Sequence, residues 1–419
     1  MGASGALVAD PLIALVDVAI AGRLGVTAQA ALAVGAAAVT LAAWLLYPLL
    51  FAQTSEVANA WGAGDRAAAA RAVRSGSAAA VVVGGVVALL LVVIAGPLLL
   101  AGVEGTVAQQ ARAYLQIRAS GLPLLAFVLA GHGALRGRGD TRGSAVIALA
   151  VAAVHAAAAC GVLAAGLGLS ALAVVGVGAQ FLGAGAIAAR LRAGGLLRPS
   201  SPSARSKRQE MNEGLLALRR AGPLALRGAG LGISTAALTA AAASIGPTQA
   251  AAHLVTYQVW LLVALALEGW KAAAQVIVAQ DRGSPAAELR ADVRALERGA
   301  AVVGVLAGLC LLATISFLPG LLAADRASAA AAKPLWVLAS LALAVGSIAF
   351  TRDGVEFGLR RYRANAGRTL RGCAVWLVAA AAGALTGALP LLWGVFVLGL
   401  LVRAGGRVDP THERRRVRR

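Results

Sequence analysis

The sequence predicts an all-α polytopic membrane protein, with twelve transmembrane helices arranged as two six-helix lobes. Three observations predict it. The 419 residues are 59% hydrophobic and only 13% charged, where a soluble chain of that length carries roughly 25% charge. Apolar stretches at 78–100, 299–322 and 373–402 reach or exceed the ~20 residues that cross a bilayer. The two halves also resemble each other at a fixed offset of 221 residues.

In chain order, the expected spans are 4–22, 28–61, 77–101, 111–135, 143–166, 168–193, 222–245, 249–281, 299–323, 333–358, 371–389 and 390–405. The second, eighth and tenth exceed the bilayer thickness and are expected to project into the cytoplasm as helix. Residues 1–194 form the N-terminal lobe and 195–221 a basic cytoplasmic linker. Residues 222–405 form the C-terminal lobe and 406–419 a basic cytoplasmic tail. The 51 glycines fit this reading, because small residues let membrane helices approach closely.

Loops after even-numbered spans carry the arginine clusters. They hold Arg66, Arg71 and Arg74, then Arg136, Arg138 and Arg142, and later Arg290, Arg294, Arg298, Arg360, Arg361, Arg363 and Arg368. Loops after odd-numbered spans hold little beyond Arg23, Arg112, Arg326 and Lys333. Positive loops stay inside, so both termini and the linker are expected to be cytoplasmic in a plasma (inner) membrane protein. The net charge of +20 is spent on this topology. Nucleic-acid binding is not expected, since a basic reading face needs a folded soluble surface.

Cys160, Cys310 and Cys373 fall inside apolar helices without C-x-x-C spacing, so neither a disulfide framework nor a metal site is indicated. No cofactor is expected, and no cleavable signal peptide is apparent. An enzyme would need a carboxylate, histidine or cysteine constellation at a membrane edge, and none is visible.

The repeat is specific. Val57-Ala58-Asn59 with Gly62 matches Val278-Ala279-Gln280 with Gly283, and Gly133, Gly137 and Arg142 match Gly354, Gly358 and Arg363. Six spans per half preserve orientation, so the halves are expected to be related by a pseudo-twofold axis along the membrane normal, as parallel repeats are. The basic lead-in at 213–220 has no counterpart before the first half, so the chain is expected to start unusually late.

Ionisable groups within spans are costly, at least about 2.5–3.5 kcal/mol near the centre for a charged one, and each therefore needs a reason. Asp17 sits about two turns from the outer end of span one and is the first candidate. Glu268 lies in span eight with Lys271 three residues on, within reach of a same-face ion pair. Asp353 lies near the inner end of span ten beside Arg352, as a gate or a packing residue. Glu356 is expected to make a solvated bridge to Arg360. His155 and His253 are candidate proton relays, because histidine titrates near neutrality. Tyr257, Gln258 and Trp260 are candidate cleft residues, since an aromatic face holds an organic cation at about 0.5–2 kcal/mol.

The motifs resemble those of the MATE family of multidrug and toxic-compound extrusion transporters, nearest its DinF-type branch. Asp10-Pro11-Leu12 through Asp17-Val18-Ala19, then Gly22-Arg23-Leu24-Gly25, resemble the family's "EPLLGLVDTAVVGRLG". Val57 to Asp65 is similar to "TAQAFGAGD", and Leu135 to Arg142 to "LRGLQDTR". In the second half, Ala251-Ala252-His253, Gln258-Val259-Trp260, Leu267-Glu268-Gly269 and Asp353-Gly354-Val355 with Gly358 resemble "AANQILLQFW", "LDG" and "LDGVFIG". The resemblance implies a cation-coupled antiporter, acting as a monomer, that exports cationic amphipathic molecules by alternating access. It implies that Asp17 is the coupling residue, with the proton favoured over sodium. The alternative is a flippase for lipid-linked precursors from the same broader superfamily. The chain departs from the family at His155 and Ala159, where Asn and Asp are usual, at His253, where Asn is commoner, and at Gln275, where Glu is commoner.

Overall fold

The computed structural model describes residues 2–197, 207–280, 285–359 and 361–406. The helices are α1 (Gly2–Leu24), α2 (Val26–Gly62), α3 (Arg66–Leu90), α4 (Gly96–Leu99), α5 (Gly105–Ser120), α6 (Leu122–Gly137), α7 (Thr141–Ala164) and α8 (Leu169–Ala193). They continue as α9 (Lys207–Ile245), α10 (Pro247–Gln280), α11 (Ala286–Ala313), α12 (Leu318–Leu322), α13 (Arg326–Gly358), α14 (Tyr362–Thr386) and α15 (Leu389–Ala404). Among the described residues, nine helices are long and apolar enough to cross a membrane, or ten if one bent pair counts as a single span. Each expected span lies largely on helix, and the ninth is interrupted by a turn between α11 and the short α12.

Four further segments differ from the expected spans. The third passes through a π-helical turn at Leu91–Ala95 before the short α4. The fourth is broken at Gly121, where α5 and α6 meet at 49°. Pro123 at the start of α6 explains the break: it has no N–H to give back to the preceding helix, yet suits a helix's first turn. The seventh begins at Lys207, so the basic lead-in continues into the span as one helix. The eleventh begins at Tyr362 rather than 371, which puts Arg368 inside a helix instead of a loop.

Loop aspartates start the helices that follow them. Asp65 accepts from the Ala68 amide at 2.7 Å, Asp140 from Gly143 at 3.0 Å and Asp325 from Ser328 at 2.7 Å. Each satisfies an amide that a helix start leaves unpaired.

The chain divides into two compact units, Met1–Ala236 and Ala237–Arg419, with the boundary inside α9. Both are built on the same contact. In the first unit Gly133 seats α6 against the Leu50 carbonyl of α2, and Gly137 seats it against Thr54 and Val57. In the second, Gly354 seats α13 against the Lys271 carbonyl of α10, and Gly358 seats it against Gln275 and Val278. All four glycines and their partners are related by the same offset of 221. A Cβ at Gly137 would lie 2.7 Å from the Thr54 carbonyl oxygen, and one at Gly358 would lie 2.7 Å from that of Gln275. Only glycine permits this approach of two helix backbones.

Candidate functional site

In the first unit α1 packs along α7, and this pairing brings two sequence-predicted residues together. His155 Nε2 lies 2.7 Å from Asp17 Oδ1, with the two side chains 0% and 13% exposed. His155 Nδ1 is buried and has no hydrogen-bond partner among the described residues. One turn along α7, Ala159 is fully buried and offers no second carboxylate. The pair thus consists of one carboxylate and one imidazole, with one ring nitrogen unused.

A side chain from α2 holds α1 beside the pair. Gln29 is fully buried and donates to the Val18 carbonyl at 3.1 Å, fixing α2 against α1 beside Asp17. Tyr114 is buried, its ring lying where a side chain at Gly35 would be. Arg118 lies one turn further along the same helix. Arg118 is an arginine midway along the broken α5–α6 span, packed on α8 at Gly176. Sequence reading placed it inside the expected span 111–135 without singling it out. The available signal was an arginine seven residues inside an expected span.

In the second unit the predicted residues separate into an aromatic cluster and an ionic one. Trp393 Nε1 donates to His253 Nδ1 at 3.1 Å, and His253 Nε2 lies 3.1 Å from Thr239 Oγ1. An indole has only a proton to give, so Nδ1 is the bare nitrogen and the ring proton sits on Nε2. Tyr257 stacks on His253 at 5.8 Å, while Trp260 meets Phe396 edge-on at 4.9 Å. Gln258 and Trp260 are buried, and Gln258 Oε1 and Trp260 Nε1 have no partner among the described residues.

The ionic cluster lies where the C-terminal ends of α13 and α15 meet the start of α14. Arg368 Nη2 donates to Asp353 Oδ1 at 2.9 Å and Glu356 Oε2 at 2.7 Å. Asn365 Nδ2 donates to the same two oxygens at 2.8 and 3.0 Å. Arg403 Nη2 reaches Asp353 Oδ2 at 3.0 Å. Two carboxylates therefore face two guanidiniums, and all five side chains are buried. Glu356 was expected to be solvated; instead α14 folds over it and Arg368 replaces water. Arg352, next to Asp353, turns the other way to Glu297 at 2.6 Å and the Gly406 carbonyl at 2.7 Å. The side chain of Glu268 and all of Arg360 lie outside the described residues. Lys271 sits 5.4 Å from the Phe357 ring.

The repeat also places the first unit's counterpart of this cluster. At the 221-residue offset Asp353 matches His132 and Asn365 matches Ser144. His132 Nδ1 and Ser144 Oγ lie 2.8 Å apart, buried. The same helix pair is thus bridged at the same register in both units, by neutral groups in one and charged groups in the other.

These features define a class: a multi-pass helical membrane protein with no catalytic constellation among its described residues and buried polar pairs inside its helix bundles. Residues 4–160 match the family model MatE. The chain has the fold of solved MATE transporters. It superposes with a TM-score of 0.82 on a multidrug resistance MATE family transporter of the MOP superfamily in its inward-facing conformation, at 17% identity over 97% of this chain and 94% of that one. An outward-facing structure described in the same words gives 0.71, at 17% identity over 96% and 91%. A MOP superfamily transporter from Pyrococcus furiosus Vc1, described as having a binding pocket of reversed polarity, gives 0.73 at 16% identity over 99% and 95%. No curated protein matches the chain.

Proposed function

We propose that this chain is a cation-coupled antiporter of the DinF-type MATE branch, with twelve spans in two six-helix lobes. It exports organic cations, drugs or toxic metabolites by alternating access. The observation that carries this reading is the buried Asp17–His155 pair at 2.7 Å. With Asp17 ionised and His155 neutral, Nε2–H donates to the carboxylate and the pair bears one negative charge. A proton arriving on the unpartnered Nδ1 converts it to an imidazolium–carboxylate pair with no net charge, which no longer holds a cation. Losing that proton restores the negative site. A group that binds either proton or cation, but not both, couples the two fluxes.

The donor set supports the proton over sodium, because a hard cation wants a shell of oxygens and Asp17's nearest partner is an imidazole nitrogen. Asp353 is already matched by Arg368 and Arg403 and serves to pin the inner end of the second lobe. His253, with both nitrogens engaged, positions the Tyr257–Trp260 face against which cargo rests beside Gln258. The arginine distribution supports cytoplasmic termini in a plasma membrane, and Glu268 remains a candidate gate on span eight.

The test is ethidium efflux from proteoliposomes under an imposed pH gradient, comparing wild type with Asp17→Asn. Gradient-driven efflux that Asp17→Asn abolishes is the expected outcome. Full efflux in the variant would remove Asp17 from coupling, and no efflux by correctly inserted wild type would overturn the antiporter reading.

A further inference from the structure

We propose that the outward faces of α7 and α8 form a binding surface for an anionic phospholipid. Its phosphate sits between Arg142 and Arg192, and its acyl chains lie along Val146, Leu149, Phe181 and Leu182. α7 turns His155 toward α1, and this surface lies on its exposed side.

Three observations carry it. First, the two arginines stand level. α7 and α8 are joined by only four residues, as antiparallel neighbours are, and a Cβ at Gly183 would lie 3.8 Å from Val151. Arg142 lies nine residues before Val151 and Arg192 nine residues after Gly183, so both stand at the same end of the helix pair. Second, both are exposed and uncommitted. Asp140 takes Arg138 at 2.6 Å and Arg190 at 2.8 Å, while neither Arg142 nor Arg192 has an ion pair among the described residues. Neither helix contains an acidic residue. Third, an apolar strip continues from the arginines. Val146 and Leu149 lie four and seven residues past Arg142, on the same helix face, and both are exposed. On α8, Phe181 and Leu182 are 68% and 50% exposed, about three turns before Arg192. Gly185 is level with Leu149 and has nothing within 4 Å of where a Cβ would be, so an acyl chain can lie close against the α8 backbone there.

Topology asks only that one end of the protein be positive. It does not ask for two unpaired arginines at one level beside an apolar strip. An arginine near a helix end reaches along its apolar stem to the headgroup level, and its planar fork matches the oxygens of a phosphate. A free phosphate would engage the arginines alone, whereas a phospholipid engages the arginines and the strip together. A zwitterionic phospholipid also brings a cationic group to the same arginines and is the weaker partner.

The test is lipid binding to the purified full chain in detergent, counted by native mass spectrometry. The probes are dioleoyl phosphatidylglycerol and dioleoyl phosphatidylcholine, which share acyl chains and differ in net charge. Wild type is expected to bind phosphatidylglycerol roughly 10–30-fold more tightly, since each basic side chain near an anionic headgroup accounts for about five-fold. Arg142→Gln combined with Arg192→Gln should bring phosphatidylglycerol down to the level of phosphatidylcholine. Phosphatidylcholine binding should be unchanged, which also shows that the variant is folded. Arg294→Gln combined with Arg298→Gln, at two exposed arginines of α11, removes the same charge elsewhere and should keep the preference. Equal binding of the two lipids by wild type overturns the proposal. So does an equal loss in both double variants, which would make the preference one of net charge alone. Glycerophosphoglycerol, the headgroup without its chains, should not displace phosphatidylglycerol at equal concentration. Displacement by it would assign the two arginines to a soluble phosphate and overturn the lipid.

Discussion

His155 Nε2 meets Asp17 Oδ1 at 2.7 Å across 138 positions of sequence, and this one contact replaces the Asn and Asp that the family resemblance leads one to expect on α7. The replacement changes what the site can do. Asn can only orient a carboxylate, whereas an imidazole can also store a proton.

That difference gives the first prediction. His155→Asn should keep a donor for Asp17, and so keep ethidium binding, while removing the second titratable nitrogen. The dependence of efflux rate on pH should flatten, because the nitrogen proposed to take the proton is gone. His155→Ala leaves the buried carboxylate without its donor, a cost of about 1–3 kcal/mol, and efflux should fall roughly ten-fold or more. Initial rates measured across pH in proteoliposomes decide it. An unchanged pH profile in His155→Asn would assign the proton to Asp17 alone.

The second prediction concerns the five-membered cluster around Asp353. Removing one partner of a buried ion pair leaves a charge uncompensated and costs about 3–5 kcal/mol. Arg403→Met should therefore sharply reduce the protein that stays monodisperse after heating in detergent. Asp353→Asn combined with Arg403→Met removes one charge of each sign and should recover much of that loss. If the double variant is no better than the single ones, the two residues do not act as a pair.

Much of the fold was legible because it rests on patterns that a sequence displays directly. Long apolar runs mark spans, and the 221-residue offset marks the repeat. Gly133 with Gly137 and Gly354 with Gly358 gave that repeat away, since each glycine is fixed by a backbone carbonyl that tolerates no side chain. Asp17 was legible for a different reason: a carboxylate amid apolar neighbours has no cheap place to be. Partners were not legible, because they come from packing of distant helices. Nothing local says that His155 faces α1, that Ser144 bridges to His132, or that Arg368 and Arg403 converge on Asp353. Arg368 was misread as a loop residue because α14 begins a full two turns before its apolar stretch does, and an ion-paired helix start looks like a loop.

The third prediction tests a charge outside the membrane-spanning helices. Asp140 joins α6, α7 and α8: it caps α7, meets Arg138 at 2.6 Å and meets Arg190 at 2.8 Å. The Arg190 hydrogen bond is the largest influence and, with Arg138 and the Gly143 amide, holds the Asp140 carboxyl well below the usual carboxylate range against a smaller opposing effect of burial. A carboxyl held low in the folded state contributes stability above its unfolded value of about 3.9 and loses it as pH falls below that value. Asp140→Asn isolates this contribution, since asparagine caps a helix about as well as aspartate but cannot pair with either arginine. The variant should melt a few degrees lower than wild type at neutral pH, and the gap should close as the buffer is taken below about pH 4. Thermal unfolding of detergent-purified protein across that range measures it. A gap that stays constant into acid would mean that Asp140 stabilises through geometry at the α7 start rather than through its charge.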